Sequence, residues 1–112
     1  MKLQAAILVA SLALAASLQA AGLPDASRLV DAIGRAENSK AHPYGVMVRC
    51  RNPRQVCLNT IRNAEAQWLA AGQPGDFVEW LARTYAPVGV RNDPGRLNRN
   101  WVANVRWFYE HK

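Results

Sequence analysis

Glu37 is the residue in this sequence that is best placed to act as a general acid. It follows Leu29, Val30 and Ile33, which repeat at helical spacing, and a polar turn from Asn38 to Gly45 comes directly after it. A carboxyl group that is held beside apolar side chains and faces a cleft can have a raised pKa, so that it donates a proton near neutral pH. Cleavage of a glycosidic bond needs such a donor.

Most of the other carboxylates have structural explanations. Asp25 and Asp76 are placed as helix caps, and Asp31 lies at helical spacing from two arginines, while Glu65 falls on a solvated helix face. Asp93 lies in a segment rich in turn residues that is suited to line a cleft. We therefore take Asp93 as the candidate second carboxylate.

Several other classes of active site are not supported. The sequence has no glycine-rich phosphate loop, no H-E-x-x-H motif and no G-x-S-x-G motif. His42 and His111 lie far apart and without metal-ligand spacing to either cysteine. The sequence therefore predicts neither a metal site nor a cofactor.

Capping residues and apolar spacing predict four helices that would position these groups. The first helix begins after Asp25 or Ser27 and runs to about Asn38. The second is predicted from Pro53 to about Ala71, and the third from Asp76 to Tyr85. The last begins after an Asn98 cap. The stretch Tyr44 to Arg49 has strand character and predicts a short extended arm or a small hairpin. The expected fold is a small, single, all-α domain.

The first 20 residues have the pattern of a signal peptide. Met1-Lys2 is a minimal basic start, an apolar run follows from Leu3 to Leu18, and Ala20 is a small residue that a signal peptidase accepts. The alternative is a membrane anchor, but the run is short and no basic stop-transfer flank follows it. We expect residues 1–20 to be removed, residues 21–112 to form a periplasmic or secreted domain, and no stable membrane insertion after cleavage.

Cys50 and Cys57 are the two cysteines of the chain. In an oxidising compartment, a pair this close most simply forms one disulfide. The alternatives are a redox pair or half of a metal site, although the spacing is not C-x-x-C. The sequence thus predicts a Cys50–Cys57 disulfide that ties the arm to the core.

The chain is basic, with a formal net charge of +6, and nearly all of its cations are arginines. Such a surface suits nucleic acid, anionic lipid or an acidic wall polymer, and export makes nucleic acid the poorest of these partners. An ordinary soluble surface is the alternative. The sequence carries no oligomerisation signal, so a monomer is expected.

Three runs of residues resemble the lysozyme-like peptidoglycan hydrolases, which include lytic transglycosylases and glucosaminidases. They are Ala32-Ile33-Gly34-Arg35-Ala36-Glu37 with His42-Pro43-Tyr44-Gly45-Val46, then Phe77 to Pro87 with Asn92-Asp93-Pro94, and Asn100-Trp101-Val102-Ala103-Asn104-Val105. The resemblance covers about Leu29 to Phe108. Many transglycosylases continue after their glutamate with Ser-Gly-Gly, whereas this chain has Asn38-Ser39-Lys40.

The resemblance implies a lysozyme-like fold and a role for particular residues. Glu37 matches the general acid, and the later segments match those that line the glycan cleft. By that resemblance Tyr44, Tyr85, Asn100 and Trp101 are candidate substrate-binding residues, since aromatic faces stack on sugar rings. Peptidoglycan glycan strands are the expected substrate.

Three functions are compatible with this sequence. The first is an exported glycosidase or lytic transglycosylase that acts on peptidoglycan. The second is a non-catalytic periplasmic module that binds cell wall or a protein partner through a basic surface bearing aromatic residues. The third, a membrane-active basic helical protein, is disfavoured because the apolar residues fit a core.

Overall fold

The described part of the chain, residues 22–88 and 97–111 of a computed structural model, contains four α-helices. We number them α1 (Ala26–Glu37), α2 (Pro53–Ala70), α3 (Phe77–Tyr85) and α4 (Trp101–Glu110), and short 3-10 turns span Pro43–Gly45 and Leu97–Asn100. No strand occurs in these two ranges. The predicted signal peptide and Asp93 lie outside the described residues.

The first three helices begin where the sequence provides a capping side chain. The carboxylate of Asp25 accepts a hydrogen bond from the backbone N–H of Arg28 at 3.0 Å, and the carboxylate of Asp76 accepts one from Glu79 N–H at 3.0 Å. The side chain of Asn52 accepts from the backbone N–H of Gln55 at 3.1 Å, with proline in the first turn of α2. Each bond satisfies a backbone donor that has no partner within its helix.

Helix α1 lies at the centre of the packing and contacts both α4 and α2. Its apolar stripe of Leu29, Val30 and Ile33 is at most 1% exposed. Burial of a side chain of this size stabilises the fold by about 1.5–3 kcal/mol. The other helices add buried residues to the same cluster: Cys57, Ile61, Ala64, Trp68, Phe77, Leu81, Trp101 and Val105.

Two predicted local features are wrong. The segment after α1 forms a 3-10 turn instead of the start of a hairpin, because Tyr44 and Gly45 adopt φ angles of 60° and 70°, which no strand contains. Asn98 does not cap α4 but lies in the Leu97–Asn100 turn, where its side-chain amide donates to the carbonyl of Pro87 at 3.1 Å. Asn100 is the residue that precedes α4, and its side chain makes no capping bond.

The predicted disulfide is absent, and both cysteines are free thiols. Cys57 is fully buried in α2, where its side chain interacts with that of Tyr85, whereas Cys50 is exposed in the irregular segment before α2. The thiol of Cys57 is thus directed to the helix core and away from the arm. Among the described residues, no helix combines the length and apolar character needed to cross a membrane.

Candidate functional site

Glu37 is the last residue of α1 and is half-buried. It follows Ile33 by four positions and Val30 by seven, so it continues the buried stripe at the point where the helix ends. The next residue, Asn38, takes a left-handed conformation with φ of 40°, and its N–H donates to the carbonyl of Gly34. The carboxyl group therefore lies at the edge of the core, next to the apolar stripe.

The indole N–H of Trp101 donates a hydrogen bond to Oε1 of Glu37 at 2.8 Å. The two residues are 64 positions apart in the sequence and meet because α1 packs on α4. Trp101 opens α4 and is only 7% exposed. A bond between a donor that is nearly buried and a carboxylate oxygen fixes the orientation of the carboxyl group.

Tyr85, the last residue of α3, stacks on Trp101. The ring centroids are 5.5 Å apart and the ring planes differ by 15°. The Tyr85 hydroxyl interacts with Cys57 and Thr60 of α2, and burial raises the pKa of this phenol well above its usual range. Glu37, Trp101, Tyr85 and Cys57 therefore form a continuous series of contacts that joins all four helices.

Burial also keeps the Cys57 thiol protonated. The loss of solvent raises the pKa of Cys57 to about 11, and the interaction with Tyr85 acts in the opposite direction with a smaller effect. The negative charge of Glu37 raises the pKa of both Cys57 and Tyr85 further. These two groups are thus neutral supports of the carboxylate under physiological conditions.

Two glycines allow the Pro43–Gly45 turn to close over the end of α1. A Cβ atom on Gly45 would lie 3.0 Å from the carboxyl carbon of Glu37, and one on Gly34 would lie 2.5 Å from the ring of Tyr44. The turn therefore contacts the helix on two sides, with its backbone against Glu37 and its aromatic ring across Gly34. Gly34 was not among the predicted site residues, although a glycine inside a helical pattern often marks such a close approach.

Among the described residues, three of the predicted site residues are brought together by the fold. Glu37, Tyr85 and Trp101 form one cluster, and Tyr44 lies on the adjoining turn. Asn100 is exposed immediately before Trp101. Because Tyr85 covers one face of the Trp101 ring and little of that ring is exposed, Trp101 has little surface left for stacking on a sugar.

A groove of about 720 Å³ lies on the other side of α1 from this cluster. Its lining includes Arg28, Asp31 and Arg35 of the helix together with Lys40 and Tyr44, but not Glu37. The separation follows from helix geometry, because Glu37 is rotated about 200° around the axis from Arg35. The groove and the carboxylate are therefore two distinct features that share the end of one helix.

The hydrogen bond with Trp101 distinguishes the two oxygens of the Glu37 carboxyl group. An indole N–H is only a donor, so Oε1 accepts from Trp101 whether the carboxyl group is charged or neutral, and a carboxyl proton must reside on Oε2. Within the described ranges, no three histidine, cysteine, aspartate or glutamate side chains come together in a way that would hold a metal ion. The site therefore presents one carboxyl group, which the bond from Trp101 holds in a fixed orientation.

Comparisons with known proteins do not extend this description. No protein-family model matches the chain. Neither curated proteins nor solved structures give a significant match.

Proposed function

We propose that the protein is an exported enzyme that cleaves peptidoglycan glycan strands, as a glycosidase or a lytic transglycosylase, with Glu37 as its general acid. The observation that carries this proposal is the hydrogen bond from Trp101 to Glu37, because it orients a half-buried carboxyl group at the end of a helix. The resemblance of the surrounding sequence to lysozyme-like enzymes supports the same assignment. The lysozyme-like fold is part of this proposal.

In the proposed reaction, Oε2 of Glu37 donates its proton to the glycosidic oxygen as the bond to the anomeric carbon breaks. In a transglycosylase, the resulting carboxylate then takes a proton from a hydroxyl of the same sugar, and that oxygen closes on the anomeric carbon. One carboxyl group therefore suffices. In a hydrolase, a water replaces the sugar hydroxyl, and Asp93 is the candidate second carboxylate.

We assign Trp101 and Tyr85 to different roles in this site. Trp101 acts as a positioning residue, because its N–H contacts the carboxyl group while most of its surface is buried. Tyr85 supports Trp101 by stacking and is anchored at its hydroxyl. Tyr44 and Asn100, on more accessible segments, remain candidates for direct glycan contact.

Release of soluble fragments from purified cell-wall sacculi tests the catalytic proposal. We expect Glu37→Gln to lower the release rate by about 100-fold or more, since a missing general acid typically costs this much. Glu79→Gln is the matched control, because it makes the same chemical change at an exposed position of α3 and should retain the wild-type rate. Wild-type release by Glu37→Gln would exclude Glu37 as the acid.

The products distinguish the two reaction types. An anhydro-sugar end indicates intramolecular attack and a transglycosylase, whereas a free reducing end indicates hydrolysis. Asp93→Asn should reduce activity only in the second case.

A non-catalytic wall-binding or partner-binding module is the second candidate. The specific observation that favours it is Trp107, whose side chain is 54% exposed on a basic protein and stacks on His111. Solvent-accessible aromatic rings are typical of binding surfaces. Sedimentation of the wild-type protein with sacculi, without any release of fragments, would favour this module over the enzyme.

A further inference from the structure

We propose that the groove on the outer face of α1 binds the carboxylate-bearing stem peptide that branches from the glycan. This inference rests on the proposed function, since it assigns the peptide part of the same substrate to a second site. The groove, with a volume of about 720 Å³, falls in the size range of ligand sites. Its residues come from α1 and its N-cap, from the segment that runs into the Pro43–Gly45 turn, and from Phe108 of α4.

Two of the three cations that line the groove are free to bind a ligand, whereas the guanidinium of Arg28 lies 4.6 Å from the centroid of the Tyr109 ring. Asp31 is already paired with Arg54, whose Nε donates to Oδ1 at 3.0 Å. Asp25 uses one carboxylate oxygen to cap α1. Arg35 and Lys40, in contrast, form no ion pair or side-chain hydrogen bond within the described part of the chain. These two side chains give the end of the groove nearest Glu37 an uncompensated positive charge.

The mixture of groups favours a peptide over a polyanion. The ring of Tyr44, held against Gly34, provides an apolar wall beside the two cations. Asp25 and Asp31 also line the groove, and they would repel a ligand with closely spaced phosphates. A peptide carries a small number of carboxylates, together with apolar side chains, and so matches this surface better than a nucleic acid does.

The position of the groove fits a branched substrate. Arg35 and Glu37 lie within one turn at the end of α1, on opposite sides of the helix. A sugar held at Glu37 would place a peptide branch next to this helix end. The groove would thereby select peptide-substituted glycan over bare glycan.

Titration of the purified protein with a free stem peptide that carries no sugar tests this inference. We expect measurable binding that weakens with added salt, and about five- to tenfold weaker binding for Arg35→Gln and for Lys40→Gln, since each removes one charge-assisted contact. Arg62→Gln is the matched control, because Arg62 is an exposed arginine outside the groove and its loss should leave binding unchanged. The same peptide with amidated carboxylates should bind at least tenfold more weakly.

Three results would overturn the inference: no binding by the wild-type protein, equal binding of the free and amidated peptides, or wild-type affinity in the Arg35→Gln/Lys40→Gln double variant. Circular dichroism of each variant identifies any loss of fold. Because the assay contains no glycan, it does not depend on bond cleavage. A protein that binds the peptide but leaves sacculi intact would refute the proposed catalysis alone, and one that cleaves sacculi without binding the peptide would refute the groove assignment alone.

Discussion

The hydrogen bond between Trp101 and Glu37 should contribute measurably to the stability of the fold. Trp101→Phe removes the indole N–H while it keeps an aromatic ring for stacking on Tyr85, and Glu37→Ala removes the acceptor. Each single substitution also changes packing, so neither alone measures the bond. A double-mutant cycle isolates the interaction between the two side chains.

The expected coupling energy follows from the geometry. Hydrogen bonds to charged groups contribute about 1.5–3 kcal/mol, and the 2.8 Å distance and the burial of Trp101 favour a strong bond. Because the carboxyl group of Glu37 is only half-buried, water competes for it, and we expect about 1.5 kcal/mol. The free energies of unfolding of the four proteins, measured by urea denaturation and circular dichroism, give this value.

A second cycle with Glu37→Gln provides the control. The amide oxygen of glutamine still accepts from the indole N–H, but the bond is no longer charge-assisted, so the coupling should fall to about half. A coupling energy below about 0.3 kcal/mol in the Glu37→Ala cycle would refute the reasoning. It would mean that Trp101 does not hold the carboxyl group in solution.

Three further substitutions test the surroundings of the site. Gly34→Ala should lower the free energy of unfolding, measured by urea denaturation, by about 1–3 kcal/mol, because its Cβ would lie 2.5 Å from the Tyr44 ring. When Tyr44→Ala removes that ring, the same substitution should instead stabilise helix α1 by about 0.5–1 kcal/mol. Gly45→Ala should lower the free energy of unfolding by about 1–2 kcal/mol because of the φ of 70°, and by a further amount because the new Cβ contacts Glu37. In a Glu37→Ala background, only the loss due to the contact should disappear. The pKa of Cys57 near 11 predicts that its proton is lost from the unfolded chain near pH 9 but from the folded chain only near pH 11. The contribution of Cys57 to stability is therefore complete below about pH 9 and should fall by about 2 kcal/mol as the pH rises to 11. The measured quantity is the difference in the free energy of unfolding between the wild-type protein and Cys57→Ala. A difference that does not change with pH would contradict the burial of this thiol.

The helices could be predicted from sequence because their signals are local. Asp25, Asn52 and Asp76 cap the helices that they were expected to cap, and Glu37 ends α1 as predicted. A cap and an apolar repeat act within a few residues, so the sequence contains the whole of the physical cause. The last helix was also predicted, but the expected Asn98 cap does not form. The side-chain amide of Asn98 donates instead to the distant carbonyl of Pro87.

The remaining features depend on contacts between distant segments. The valines and Tyr44 after α1 have high strand propensity. Tyr44 nevertheless adopts a left-handed conformation in the Pro43–Gly45 turn, where its ring packs on Gly34. The pairing of Cys57 with Cys50 was predicted from their spacing and from the expected oxidising compartment, whereas the fold directs the Cys57 thiol to Tyr85, which follows it by 28 positions. The partnership of Glu37 with Trp101 has no local signal, because it arises only when α1 packs on α4.

The location of the site at helix termini has a consequence for its dynamics. Glu37 and Tyr85 are the last residues of their helices, and Trp101 is the first of its own. Terminal turns open more readily than helix centres, since fewer hydrogen bonds hold them. Hydrogen exchange at these three positions should therefore be faster than at the core of α1, and under mild denaturant the arrangement around Glu37 should come apart while most of the helical structure persists.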